Sequence, residues 1–259
     1  MKQHCPMRLV SWNVNSLNVR LPHVEHLLDK LHPDVLALQE TKLPDDRFPS
    51  EAFEQRGFQV SFAGQKTYNG VALISRYPLE HVRADLPGFN DAQRRVLAAT
   101  VAGVRIINVY VPNGQEPDSE KFAYKCRWLD ALLAFVADEL SAHDRLVVMG
   151  DFNIAPADMD VHDAARWRDK IMCTALEREY FRRLLALGLV DAVREQLPED
   201  RTIYTWWDYR LSAFRRGWGL RIDHVLLSES LRIRAAGVDV SYRAMDRPSD
   251  HAPVWVDVQ

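Results

Sequence analysis

Cysteine is scarce in this chain: Cys5, Cys126 and Cys173 are the only three in 259 residues. They are too few and too scattered for a disulfide framework or a metal knuckle, which points to a reducing compartment. No run of 18 or more apolar residues exists, so no membrane-spanning helix is expected. The opening stretch MKQHCPMRLVSWNVN lacks the apolar run and small-residue cleavage site of a secretory signal. A cytoplasmic protein is therefore the expectation. A large net charge is missing too, since 33 Lys+Arg against 36 Asp+Glu leave a formal −3. That excludes a strongly basic nucleic-acid coat protein. It does not exclude an enzyme whose acidic site holds a cation and whose positive charge is local. No linker, charge block or short repeat divides the sequence. A single domain over residues 1–259, with a loose N-terminal extension over 1–6, is the simplest reading, and 47% apolar content is enough for its core.

What is present is an alternation of strand and helix patterns. RLVSWNV, DVLALQE, FQVSFAG, GVALISR, VRIINVYVP and RLVVMGDFN read as strands, followed late in the chain by TIYTWWDY, RIDHVLLS, GVDVSY and APVWVDV. Between the first two strands, NSLN reads as a turn. LPHVEHLLDKL then reads as a helix through Val24, Leu27, Leu28 and Leu31, stopped at Pro33. Pro117, Asp118 and Ser119 open a second helix with Phe122, Cys126, Leu129, Leu133, Val136 and Leu140 along one face. REYFRRLLALGLVDAV reads as a third, stopped near Gly188. Many strands come in adjacent, hairpin-like pairs. That suits two mixed sheets with helices outside them better than one parallel sheet.

The strands end in an unusual set of residues. Asn13 and Asn15 finish the first, Glu40 the second, Tyr110 and Asn113 the strand VRIINVYVP, and Asp151 and Asn153 the strand RLVVMGDFN. Asp223 and His224 interrupt RIDHVLLS, and Asp250 and His251 precede the last strand. Each Asn or Asp alone is explained by turn capping. Glu40 and Asp223, set in apolar strands, are not, because buried acids need partners. Gathered carboxylates repel one another unless a cation compensates, and oxygen ligands without cysteine select a hard ion such as Mg²⁺ or Mn²⁺. Metal, base and oxyanion donors together point to displacement at a phosphate ester. His251 is useful if an acid orients it, and Asp223 is the acid least explained otherwise, leaving Asp250 to help hold the metal.

WNVNSL, LQETK, NGVALISR, NVYVPNG, GDFNIAP, RIDHVLLS and SDHAPVW occur in the order found in the exonuclease III family of apurinic/apyrimidinic (AP) endonucleases. The chain resembles that family, a branch of the endonuclease/exonuclease/phosphatase superfamily, from about Met7 to Val258. The resemblance implies a four-layer α/β sandwich, two mixed β-sheets packed face to face with helices outside. It implies that Glu40 is the main metal carboxylate, with Asn13, Asn15 and Asp250 near the ion. Asp151 would align or deprotonate the attacking water, Asn153 and Tyr110 would donate to the phosphate, and Asp223 would pair with His251. The motifs leave open whether Asp151 or His251 is the base. Lys42 would temper the acidic cluster.

The local positive charge is RTIYTWWDYRLSAFRRGWGLR, in which Arg201, Arg210, Arg215, Arg216 and Arg221 interleave with Trp206, Trp207, Tyr209, Phe214 and Trp218. Arginines pair with phosphates while aromatics stack on bases or sugars. Arg210, Arg216 and Asn113 are therefore expected to face DNA, with Trp206 and Leu220 as walls of a sugar pocket. Arg94 and Arg95 form a smaller cluster. The sequence departs from the family pattern at His162 and Asp163, where a small residue would leave room for an extrahelical abasic sugar. One reading is an exposed loop histidine without effect. The other is that His162 narrows the approach of an internal abasic site and leaves 3′ ends accessible.

The expectation is a monomeric, Mg²⁺- or Mn²⁺-dependent DNA-repair nuclease with no membrane partner. Its substrate would be double-stranded DNA with abasic sites, nicks or blocked 3′ ends. Phosphatase or phospholipase action on inositol phosphates or lipids is the alternative on the same scaffold. A binding module that has lost catalysis is argued against by the intact polar set.

Overall fold

The computed structural model describes residues 6–198 and 201–259; the extension expected over residues 1–6 lies, except for Pro6, outside them, as does Cys5. The strands are β1 (Met7–Asn13), β2 (Val35–Gln39), β3 (Gln59–Ala63), β4 (Val71–Ser75), β5 (Glu80–Arg83) and β6 (Val96–Val101). They continue as β7 (Val104–Tyr110), β8 (Leu146–Asp151), β9 (Leu189–Asp191), β10 (Asp223–Ser228), β11 (Ile233–Val238) and β12 (Val254–Val258). Two six-stranded sheets result, in the orders β11-β12-β1-β2-β4-β3 and β5-β6-β7-β8-β10-β9. Each contains one parallel pair, β1 with β2 and β7 with β8, and is otherwise antiparallel. A parallel pair needs a crossover, and the two longest helices, Leu17–Leu31 and Glu120–Ala142, supply them.

Alternation along the strands explains the layering. Leu9, Val35, Ala37 and Leu73 face Ile106, Val147, Met149 and Val225 in a core between the sheets. Their neighbours Val10, Leu36 and Ile74 point the other way, against Val24, Leu27 and Leu28 of the helix Leu17–Leu31. Ile107, Val148 and Leu226 pack likewise against Trp128, Leu132 and Phe181. Central strands covered on both faces read as continuous apolar runs for this reason, and each buried aliphatic side chain contributes about 1.5–3 kcal/mol. The two mixed sheets with helices outside are those the pattern predicted.

Several boundaries differ from expectation. The first helix begins at Leu17, which is buried, within the expected turn NSLN, and carries Pro22 inside it. The second helix starts where predicted, Ser119 Oγ accepting from Phe122 N at 3.1 Å. The third begins at Ala175, where Thr174 and Glu177 cap each other reciprocally. TIYTWWDY is not a strand: it makes only isolated bridges from Trp206 to Leu220 and to His251, because it straps two segments at the end of the sandwich. GVDVSY is cut at Val238, where Asp239 turns the chain into a short 3₁₀ helix, Val240–Ala244. β5, β6 and β9 were not foreseen from the sequence.

Beneath one end of the sheets lies a buried polar network. Arg221 donates to Asp160 Oδ1 (2.7 Å), Asp191 Oδ2 (2.6 Å) and His224 Nδ1 (3.1 Å). Arg221 is therefore not part of the basic surface expected for its loop. Burial alone would push the Asp191 carboxyl up, but Arg221 and His224 outweigh it and hold Asp191 well below the usual carboxylate range. A depressed folded-state pKa gives stability that is full above about pH 4 and lost as pH falls further. Asp191→Asn is expected to cost about 3 kcal/mol at pH 7. It should also flatten the acid limb of a plot of Tm against pH below about pH 4, an outcome followed by thermal unfolding.

Candidate active site

The polar strand tips meet at one end of the sandwich because of register. In one sheet Asp151 lies beside Tyr110 on β7 and opposite Asp223 on β10. In the other, Asn13 ends β1 beside Gln39, so Glu40 follows at the same edge. The sheets join across the tip: Asn13 Nδ2 donates to Glu40 Oε1 and to Asp151 Oδ2, both at 2.9 Å. Within its own sheet Gly150, at φ 150°, lets β8 lie close against Val109 of β7 just before Asp151. A Cβ there would sit 1.9 Å from Val109 O, so Gly150→Ala is expected to destabilise by more than about 3 kcal/mol, measured by chemical unfolding.

Much of this edge has left-handed backbone: Asn15 (φ 44°), Glu40 (φ 51°), Lys42 (φ 55°) and Asn153 (φ 49°). Such conformations cost about 1–3 kcal/mol each and persist only when the surroundings impose them. Here neighbouring backbone does so. Ser16 N donates to Glu40 O (2.8 Å), Thr41 N to Gly70 O (3.1 Å) and Lys42 N to Asn69 O (2.9 Å).

Asp223 and His251 pair as expected: His251 Nδ1–H donates to Asp223 Oδ2 at 2.8 Å, and Nε2 lies 3.8 Å from Asp151 Oδ2. Burial alone would push the imidazole down, but Asp223 and then Asp151 outweigh it and raise His251 to about 10. Burial pushes Asp151 up to about 7, Asp223 adding to the rise while His251, Asn13 and the Asn153 N–H oppose it. Burial, then the Glu40 carboxylate, holds the Tyr110 phenol well above its ordinary value, so it stays a donor. Arg95 lies over the Tyr110 ring at 4.6 Å and donates to its carbonyl; Arg94 is exposed.

Glu40, Asp151 and His251 each place a donor atom within 4.8 Å of the others. Two carboxylates of opposite sheets, one buried and destabilised as an anion, fit a hard divalent cation that would relieve their repulsion. Asn13 touches both. Asn15 and Asp250 lie outside this group. Asn15 Nδ2 donates to Asp250 Oδ1 (2.8 Å) and Trp206 Nε1 to Asp250 Oδ2 (3.0 Å), while Lys42 bridges Asn15 and Glu40. Both Asp250 oxygens thus accept from protein donors, which fixes the carboxylate beside Asn15 and Trp206.

Asn153 spends its amide protons on Val111 O (3.0 Å) and Asp151 Oδ2 (3.2 Å), and its oxygen accepts from Asn113 Nδ2 (2.9 Å). Asn113 keeps a second amide proton, and it lines a cleft of about 630 Å³ with Tyr68, Gln93, Arg95 and Lys121. On the other side, a cleft of about 670 Å³ is lined by His162, Trp167, Trp206, Arg210, Leu211 and Trp218. Trp206 is the wall expected. Leu220 is not: it is 0% exposed, packed under the cleft with Ala155, Val161 and Ile222. His162 stacks on Trp218, ring centroids 5.9 Å apart at 18°, and its Nδ1 lies 3.3 Å from Gly219 O. Arg216 is exposed and lies over the Trp218 ring at 4.6 Å; Arg210 is exposed and held by Asp208. Sequence reasoning missed Lys125, which is fully buried beneath Asn113 and Asn153. Its signal was a lysine on the apolar face between Phe122 and Trp128.

Known proteins share this fold. Residues 10–251 match the family described as the Endonuclease/Exonuclease/phosphatase family. Exodeoxyribonuclease III of Haemophilus influenzae is 36% identical over 265 residues, covering 97% of this chain and 99% of that protein. The 3′-phosphatase NExo from Neisseria, solved with a product DNA hairpin, superposes with a TM-score of 0.96 at 50% identity, covering 98% of this chain and 99% of that one. An AP endonuclease from Archaeoglobus fulgidus superposes with a TM-score of 0.93 at 35% identity, covering 96% and 98%.

Proposed function

Because this chain belongs to the endonuclease/exonuclease/phosphatase family, and within it to the exonuclease III family of DNA-repair nucleases, we propose that it acts mainly at DNA 3′ ends. It removes 3′ phosphates and terminal nucleotides in preference to cutting at internal abasic sites. The observation that carries the preference is the His162 ring, stacked on Trp218 in the cleft beside Trp206. A flipped-out sugar entering there meets the imidazole, whereas a chain end needs no such room. The relatives named above act on DNA, so a lipid or inositol phosphate substrate is not favoured.

In this reading Glu40 and Asp151, with Asn13 beside them, would hold Mg²⁺ or Mn²⁺, which would supply neutralisation of charge on the phosphate oxygens. Asp151 takes the proton of the attacking water; among the described residues its buried carboxylate has no cationic partner but His251. His251, held by Asp223, donates to a phosphate oxygen, and Tyr110 and the second amide proton of Asn113 do the same. A new P–O bond forms as the bond to the 3′ oxygen breaks, and that oxygen takes a proton from solvent and leaves as a hydroxyl, while Asp151 later returns its proton to solvent. Asn153 orients Asp151 and Asn113. Asp250 aims Trp206, and Lys42 limits repulsion around Glu40.

Three labelled duplexes test this: one with an internal abasic site, one nicked with a 3′ phosphate, one with a recessed 3′ hydroxyl. Activity is expected with Mg²⁺ and none with EDTA. The abasic site should be cut at least about 10-fold more slowly than the 3′ phosphate is released. Equal rates on those two would overturn the preference; activity in EDTA would overturn the metal.

A further inference from the structure

We propose that Lys125 is a positioning residue that holds the two asparagine loops at the phosphate, acting through Asn153 and Asn113 without touching the substrate. The inference rests on the hydrolytic reading above. Lys125 projects from the middle of the helix Glu120–Ala142 and is 0% exposed, as is Glu177. Its ammonium donates to Asn153 O (2.8 Å), to Asn113 O (3.2 Å) and to the Glu177 carboxylate. The first carbonyl lies after β8 and the second after β7, so one side chain ties together the loops that follow a parallel strand pair. Glu177 is fixed in turn by Met172 N (2.9 Å), Thr174 N (3.0 Å) and Thr174 Oγ1 (2.7 Å). The strap therefore ends on the capped start of the helix Ala175–Ala186.

Those loops need a strap. Asn153 has left-handed backbone (φ 49°) and Gly114 has φ 90°, so neither loop continues a strand ladder. Buried carbonyls outside a ladder require another donor. Gly114 rests directly on the lysine stem, since a Cβ there would lie 3.1 Å from Lys125 Cδ. The competing explanation is a plain structural ion pair. A pair removed wholly from water adds little net stability, and an apolar side chain would fill the same volume. What lysine adds is donors aimed at two carbonyls, each in a residue whose carboxamide belongs to the site. If the loops drift, the Asn113–Asn153 bond and the Asn153 contacts to Asp151 are lost together.

The test compares wild type with Lys125→Met, and with Lys125→Met/Glu177→Gln, which avoids leaving a buried carboxylate unpaired should the single variant fail to fold. Single-turnover release of a 3′ phosphate is measured with Mg²⁺. Affinity for the same nicked duplex is measured by fluorescence anisotropy in EDTA. The expected result is a fall in the rate of about 10²-fold, comparable to loss of one oxyanion donor, with affinity within about twofold. In an Asn153→Ala background the Lys125 change should cost less than about threefold more, because it acts through that residue. A folded variant within about threefold of wild type, or full additivity with Asn153→Ala, overturns the proposal. A wild-type enzyme that releases no phosphate sinks the reading beneath it, and the inference with it.

Discussion

Asp151→Asn is expected to lower 3′-phosphate release by about 10⁴-fold or more, as removal of a base that acts as part of a unit does. Asp151 sits where both sheets converge, with Asn13 Nδ2 at 2.9 Å, the Asn153 N–H at 2.9 Å and His251 Nε2 at 3.8 Å. An amide placed there cannot take a proton from water, and its NH₂ would face donors already aimed at the carboxylate. The same change is expected to leave Tm within a few degrees of wild type, relief of a buried charge offsetting the donor-facing NH₂. Burial and Asp223 raise the Asp151 carboxyl to about 7, so its ionised form is disfavoured in the folded state. Removing that charge relieves the fold while it disables the chemistry, a trade expected where a site stores unfavourable charge. Single-turnover assays and thermal unfolding on the same preparation check both halves. A rate loss below about tenfold would move the base to another group.

His162→Gly is expected to raise the ratio of abasic-site incision to 3′-phosphate release by about 10²-fold, the scale on which access to a positioned geometry changes rates. The imidazole lies over Trp218 and edge-on to Trp167, 6.4 Å away, so its removal opens the cleft between those rings and Trp206. The main-chain bond at this position does not depend on the ring: the His162 N–H donates to Gly219 O at 3.1 Å and is kept in the glycine variant. Release of a 3′ phosphate should change by less than about threefold, because His162 is not among the groups placed at phosphorus. The measurement is the pair of rates on the abasic and the 3′-phosphate duplexes. An unchanged ratio would make His162 a bystander in the loop.

The sequence by itself determined the layer architecture, the family and the identity of most polar groups at the site. Apolar alternation, helix caps such as Ser119 and the polar tips of strands are local properties, expressed over a few residues of chain. The Asp223–His251 pair was legible because an acid inside an apolar strand demands a partner. Only the tertiary structure decided which groups share a contact. Arg221 reads as a DNA-facing cation beside Arg215 and Arg216, yet it is buried between Asp160 and Asp191. Leu220 reads as a pocket wall and lies beneath it. Asp250 reads as a group near the metal, and the fold adds that it holds Asn15 and Trp206. Lys125 drew no reading from the sequence, yet it is buried and donates to the carbonyls of two loops. The physical reason is common to all four. Asn13 meets Asp151 and Lys125 meets Glu177 only after two sheets and two helices have set their register, and no pattern within a short window encodes that distance.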